Sequence, residues 1–275
     1  MKNMARNHAK RRNAPQGDTT RQNRGKNRAK SAGHSQNEDG PVWLWGTHAV
    51  QAALANPARK CLKLLASENA ARKLTESPLS PQIASMKELD HTLPPGAVHQ
   101  GLAAQFEQLE TLTIEDVIDS GTSRIVVLDQ VSDPHNLGAI YRSAAAFGFD
   151  TIVLQTRNAP PITGIVAKSA AGAVEMVTES RVVNIARALD ALGEAGFHTV
   201  GLAGEGTATL SQAVTGAPKL AIVMGAEGPG LRPGVAKACS ELARIPISSQ
   251  MESLNVSTAA AIAFYEAAAR ANSND

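Results

Sequence analysis

The chain has 275 residues, 43% of them apolar and only 3% aromatic, which suits one large domain or two ordinary ones with an aliphatic, alanine-rich core. Two isolated cysteines, Cys61 and Cys239, exclude a disulfide framework or a zinc site, and no window approaches the roughly 18 apolar residues of a membrane span. The net charge of +2 hides a division: residues 1–40 carry ten Lys/Arg against three acids, a balance of +7, which leaves 41–275 at −5.

Residues 1–40 also lack Leu, Ile, Val and every aromatic, so they cannot bury enough surface to offset their ordering entropy, and disorder is expected there. Such a tail suits an arm for a polyanion such as RNA, through phosphate neutralisation and counterion release, or a solubilising leader. Both readings stay open. No apolar h-region follows the charges, against a secretory signal, and no apolar face recurs at helical spacing, against a transit peptide. The expectation is a soluble, cytoplasmic protein.

Past Pro41 the pattern predicts a helix over 47–54, a strand over 61–66 and a helix around 68–75. A connection broken by Pro78 and Pro81 follows, then a strand over 101–106. Residues 41–110 thus form a small α/β domain, near the lower size for independent folding. Residues 107–122 are polar and acidic, a linker or first docking segment, and the domain boundary is placed with 111–123 as linker.

From Arg124 the periodicity strengthens. Ile125-Val126-Val127-Leu128 is a continuous β-branched run, expected of a strand buried on both faces. Residues 151–154, 199–202 and 220–224 repeat it, with a weaker fifth strand over 242–247 that Pro246 demotes to an edge or an early end. Helical stretches at 137–147, 162–170, 182–195 and 258–270 alternate with these strands. The fold class expected for 124–275 is therefore α/β, a parallel sheet covered on both faces.

Three polar clusters follow apolar runs, as in a site built from strand ends. Asp133-Pro134-His135-Asn136 precedes a helix on which Arg142 lies off the apolar stripe of Leu137, Ile140, Tyr141 and Ala144; it is expected to project near Asn136. Gly225-Ala226-Glu227-Gly228-Pro229-Gly230 closes a strand with the spacing G-x-x-G-x-G, unlike the dinucleotide fingerprint, and its Glu227 calls for a partner. Ser253-Leu254-Asn255-Val256-Ser257 opens the last helix, where Ser253 or Asn255 would serve as N-cap. His48, His91, His99 and His198 lack metal-ligand spacing and read as structural or surface residues; no metal is expected.

At these residues the sequence resembles the SpoU (TrmH-like) branch of the SPOUT RNA ribose 2′-O-methyltransferases. Asp133–Gly138 with Arg142, Ala221–Gly230, and Ile245-Pro246 with Ser253–Ser257 match the family's three motifs in order and spacing. Residues 42–106 resemble its L30e-like substrate-binding domain, and Gly96-Ala97-Val98-His99-Gln100-Gly101 is similar to a segment in members that methylate a guanosine ribose of 23S rRNA. The resemblance covers about residues 42–271.

That resemblance implies a trefoil knot in place of an ordinary doubly wound sheet, S-adenosylmethionine as methyl donor, and a homodimer. Cofactor contacts would come from Ala203, Gly204, Met224, Gly225, Ile245, Ile247 and Leu254. Asn136, Arg142, Glu227, Ser253 and Asn255 would form the catalytic set, with Glu227 holding Arg142 or the substrate. The implied activity is methylation of an rRNA, a guanosine in 23S rRNA. Alternatives are a ribosome-associated RNA-binding protein without methyl transfer, or a tRNA 2′-O-methyltransferase.

Overall fold

The computed structural model describes residues 40–74 and 77–272; the tail expected over 1–40 lies outside the described residues but for Gly40. The first elements are β1 (Val42–Trp45), α1 (Thr47–Ala55), β2 (Cys61–Ala66), α2 (Glu68–Ala71), β3 (Gln82–Ile83), α3 (Met86–Thr92) and β4 (Leu102–Phe106). They build a four-stranded sheet in the order β1-β4-β2-β3, with β4 antiparallel to both neighbours. Leu44, Leu64, Ala104 and Phe106 close its core against Val50 and Ala53 of α1.

Continuing along the chain come α4 (Ile114–Asp119), β5 (Arg124–Leu128), α5 (Pro134–Ala146), β6 (Thr151–Gln155), α6 (Gly164–Ala170) and a 3-10 turn, Ala173–Glu175. They are followed by β7 (Thr178–Val182), α7 (Ile185–Glu194), β8 (His198–Leu202), β9 (Ala208–Thr209) and α8 (Leu210–Val214). The last elements are β10 (Leu220–Met224), α9 (Pro233–Ala238), β11 (Glu241–Arg244) and α10 (Val256–Asn272). The strands form a seven-stranded, wholly parallel sheet in the order β7-β6-β5-β10-β8-β11-β9.

Alternation along β5 shows why its β-branched run is unbroken. Val126 and Leu128 join α5, α6 and α10 in one core, while Ile125 and Val127 join α4 and α7 in the other. Each face is covered by helices, and each buried Val, Leu or Ile contributes about 1.5–3 kcal/mol relative to exposure. The described residues fall in one compact unit, and no helix among them is long and apolar enough to cross a membrane.

Several expectations shift. The prolines over 78–81 do not leave a bare connection: β3 and α3 follow, the helix opened by a capping box in which Ser85 and Glu88 exchange hydrogen bonds. Residues 107–122 hold α4, started by the same device from Thr113 and Asp116, with Ile114 and Val117 buried against the parallel sheet. The helix predicted to begin at 182 begins at Ile185, because Thr178–Val182 pairs with β6 as a strand. β11 ends at Arg244, before Pro246, and lies between β8 and β9, so it is not an edge. Helix α10, which reads as apolar nearly all round, buries one stripe through Ala260, Ala263, Phe264 and Ala267 and leaves Ile262 and Tyr265 exposed.

Candidate active site

Strand order reverses between β5 and β10: the chain steps outward from β5 to β6 and β7 on one side, while β8, β10 and β11 fill the other. Such a switch point leaves a crevice beyond the carboxyl ends of the strands. The loops that leave β5, β8, β10 and β11 meet there.

On the β5 side, Asp133 caps α5 by accepting from the His135 N–H at 2.8 Å. Pro134 at the first helical position already has the φ a helix needs. This start places Asn136, which is 9% exposed, at the crevice. Its Nδ2 donates to Glu227 Oε2 at 3.3 Å, and its Oδ1 accepts from Asn255 Nδ2 at 3.1 Å. Asn255 is held in turn, because its Oδ1 accepts from the backbone N–H groups of Ser257 and Thr258 at 2.9 and 3.3 Å and so caps α10. One residue from each polar cluster therefore enters a single network.

The β10 loop is shaped by close approach. Ala226 and Gly230 exchange backbone hydrogen bonds of 3.2 and 3.0 Å, and a Cβ on Gly225 would stand 2.1 Å from the carbonyl carbon of Gly230, so only glycine fits. Behind the loop lies Asp129, fully buried at the end of β5. Its carboxylate accepts from the Arg232 backbone N–H at 3.0 Å and from Arg232 Nε at 2.8 Å, a charge-assisted pairing that ties the loop's far end to the sheet. Beside it, burial and the Asp129 charge push the Cys239 thiol up to about 12.

A cavity of about 350 Å³ opens among these loops. It is lined by Ala203 and Gly204 after β8, Met224 and Gly225 at the end of β10, Ile245 and Ile247 after β11, and Leu254 before α10. Glu227 and Ser253 line it too, while Asn136 and Asn255 reach it through the hydrogen bond to Glu227. Glu205, Glu227 and Glu252 are among its lining residues, and among the described residues no basic one is. Apolar and small side chains with a negative rim suit a flat, apolar ligand that carries positive charge. Glu252 was not singled out as a functional residue from the sequence; its signal is acid type beside a strand-end loop.

Arg142 is exposed and shares a helical stripe with His135, seven residues earlier on α5. Among the described residues it has no ion pair, and Glu227 pairs with Asn136. Glu227 is not a buried carboxylate in need of rescue, since it is exposed. A larger cavity of about 610 Å³ lies apart, walled by Arg59, Glu175, Tyr141, Glu179 and Arg181. There Glu179 accepts from the Tyr141 hydroxyl at 2.5 Å and from Arg181 Nε at 2.6 Å, so that carboxylate is paired within the wall.

A parallel α/β sheet with a ligand-sized cavity beyond its strand ends defines the class of open-sheet proteins that bind a ligand at a topological switch point. Residues 123–265 match the SpoU rRNA Methylase family, and residues 43–112 match the RNA 2′-O ribose methyltransferase substrate binding family. The chain belongs to the SpoU rRNA methylase family. It is 39% identical over 237 residues to the 23S rRNA (guanosine-2′-O-)-methyltransferase RlmB of Vibrio cholerae, across 82% of this chain and 95% of that one. The AdoMet-bound rRNA methyltransferase from Sinorhizobium meliloti superposes with a TM-score of 0.69 at 25% identity, over 82% of this chain and 86% of that one. The SpoU methyltransferase AviRb from Streptomyces viridochromogenes shares the fold, with a TM-score of 0.73 at 22% identity over 85% and 91% of the two chains.

Proposed function

We propose that this protein transfers a methyl group from S-adenosylmethionine to the ribose 2′-oxygen of a guanosine in 23S rRNA. The observation that carries the reading is the Asn136–Glu227–Asn255 network at the cavity lined by the β8, β10 and β11 loops. The relatives named for guanosine 2′-O-methylation of 23S rRNA support the substrate.

The cavity fits the donor on chemical grounds. Its aliphatic wall suits an adenine ring, and Glu205, Glu227 and Glu252 favour a cationic ligand over an anionic one. S-adenosylmethionine, when bound, supplies an electrophilic methyl group on a sulfonium. The remaining work falls to the chain's own residues, chiefly by positioning, because an in-line displacement is accelerated by fixing the reacting atoms at near-attack geometry. Asn136 has two amide N–H donors; Glu227 takes one, and the other is assigned to the ribose hydroxyl. Asn255, rooted on the first turn of α10, fixes which way the Asn136 amide faces. Ser253 is assigned to the same ribose or its adjoining backbone.

Arg142 is assigned to a backbone phosphate of the RNA, since a guanidinium stays protonated and cannot take the hydroxyl proton; that proton leaves to water or a carboxylate. The knotted path of the family is adopted for residues 245–256, supported by their lining one cavity with the β8 and β10 loops. The division into 41–110 as RNA-binding domain and 124–275 as methyltransferase domain is supported by the two separate sheets. A homodimer is supported by the exposed Ile262 and Tyr265 on α10, and a cytoplasmic setting by the free thiols of Cys61 and Cys239.

Single-turnover transfer of tritiated methyl to 23S rRNA transcript, followed by nucleoside analysis, tests the proposal. Wild type is expected to yield 2′-O-methylguanosine. Asn136→Ala is expected to lower the transfer rate roughly 100-fold, the scale for one lost transition-state donor, while cofactor affinity stays within about 2-fold. A product methylated on a base, or no product at all, refutes the assignment.

A further inference from the structure

A lone cation lies where the four-stranded sheet meets α6. The Lys168 ammonium donates to the Val98 carbonyl at 2.8 Å and to Gln100 Oε1 at 3.3 Å. Gln100 is itself held, with φ at 56° and its Oε1 accepting from the Thr47 N–H at 3.2 Å. Gly46 lies directly beneath, with no room for a side chain: a Cβ there would stand 2.5 Å from Lys168 Nζ. Both acceptors are neutral, and among the described residues no carboxylate pairs with Lys168. Burial alone lowers the affinity of this ammonium for its proton. The ammonium stays partly exposed, and of its three donors one remains for an outside acceptor.

The position of this cation gives it a use. Its neighbour Ser169 is within 3.3 Å of His135 Nδ1, and His135 is exposed and precedes Asn136 on α5. One contact, Ser169 to His135, thus joins α6 to α5, one residue along from Lys168 on one helix and from Asn136 on the other. The cofactor cavity, by contrast, presents three carboxylates and repels phosphate, so an RNA strand reaching Asn136 must keep its backbone off that rim.

We propose that Lys168 and His135 form a phosphate-contact site on the seam between α6 and the four-stranded sheet, which holds the backbone of the RNA strand flanking the methylated nucleotide. The phosphate supplies the counter-ion that the seam lacks, and it links the reacting ribose to the surface of the smaller sheet. This site deepens the RNA methyltransferase reading above and rests on it for the identity of the strand.

Filter binding of 23S rRNA transcript across a salt series tests the site. Each phosphate neutralised contributes about 0.7–0.9 to the slope of log affinity against log salt. Lys168→Gln is expected to lower the slope by about that amount and to leave S-adenosylmethionine affinity unchanged, while Lys168→Arg keeps the wild-type slope. A wild-type slope in Lys168→Gln, whatever its affinity, overturns the proposal. If Lys168→Gln does not fold, ultraviolet cross-linking of wild type to the transcript decides: cross-links in peptides bearing His135 or residues 96–101 support the site, and cross-links confined elsewhere overturn it. Failure of the methyltransferase reading is distinct, since it would show as wild-type RNA binding without methyl transfer.

Discussion

Asn136 does two jobs with one amide, and its neighbours explain how. Its oxygen and one of its N–H groups are engaged by Asn255 and Glu227, so the side chain is preorganised before substrate arrives. The half-buried thiol of Cys239, behind the same loop, is also governed by its surroundings. Its folded-state value is about 12 against an ordinary 9.0, raised by burial and then by Asp129. The unfolded chain therefore loses this proton first. Stability from the thiol is intact below pH 9 and is lost progressively as pH rises from about 9 to 12. Tyr141, driven well above the tyrosine range by burial and the Glu179 charge, acts in the same direction. Urea denaturation at pH 8 and pH 10.5 is expected to show a smaller alkaline loss for Cys239→Ala than for wild type; equal losses would show that Asp129 and burial do not govern the thiol.

At the scale of elements, one ion pair fastens the turn after α1 to the 3-10 turn after α6. Arg59 Nε sits 3.0 Å from Glu175 Oε2, with side chains only 2% and 5% exposed. Asn56 Nδ2 donates to the same oxygen at 2.8 Å, and Arg59 also holds the Glu107 carbonyl at 3.1 Å. Removing one partner of a buried pair leaves the other charge stranded, at about 3–5 kcal/mol. Glu175→Ala is expected to lose about that much in denaturant unfolding, and a loss below about 1 kcal/mol would mean the pair is solvated.

Legibility from the sequence also varies by element. β10 was readable to the residue because both its faces are apolar, whereas β7, Thr-Glu-Ser-Arg-Val, carries no apolar run and is a strand only through its pairing with β6. The capping boxes at Ser85 and Thr113 were present as sequence signals ahead of α3 and α4. Motif order pointed to Asn136, Glu227 and Asn255, but no spacing rule shows that their amides and carboxylate touch. The helical period puts Arg142 on the exposed stripe of His135, a placement that lying off the apolar stripe does not by itself specify.

At the scale of the whole molecule, the parallel sheet brings loops from β5, β8, β10 and β11 to one crevice, and the smaller sheet meets α6 beside it. That crevice is the proposed methyl-donor site. Gly204 gives the sharpest probe, because it lines the cavity and a Cβ there would meet no protein atom within 4 Å, so a larger side chain fills free space without disturbing the fold. The decisive measurement is calorimetric titration of S-adenosylmethionine into wild type and Gly204→Leu, with circular dichroism confirming equal folding. One binding event per chain in wild type, weakened at least about 10-fold in Gly204→Leu, about 1.4 kcal/mol, is the predicted result. Equal affinity in the two proteins, or no binding to wild type, would contradict it.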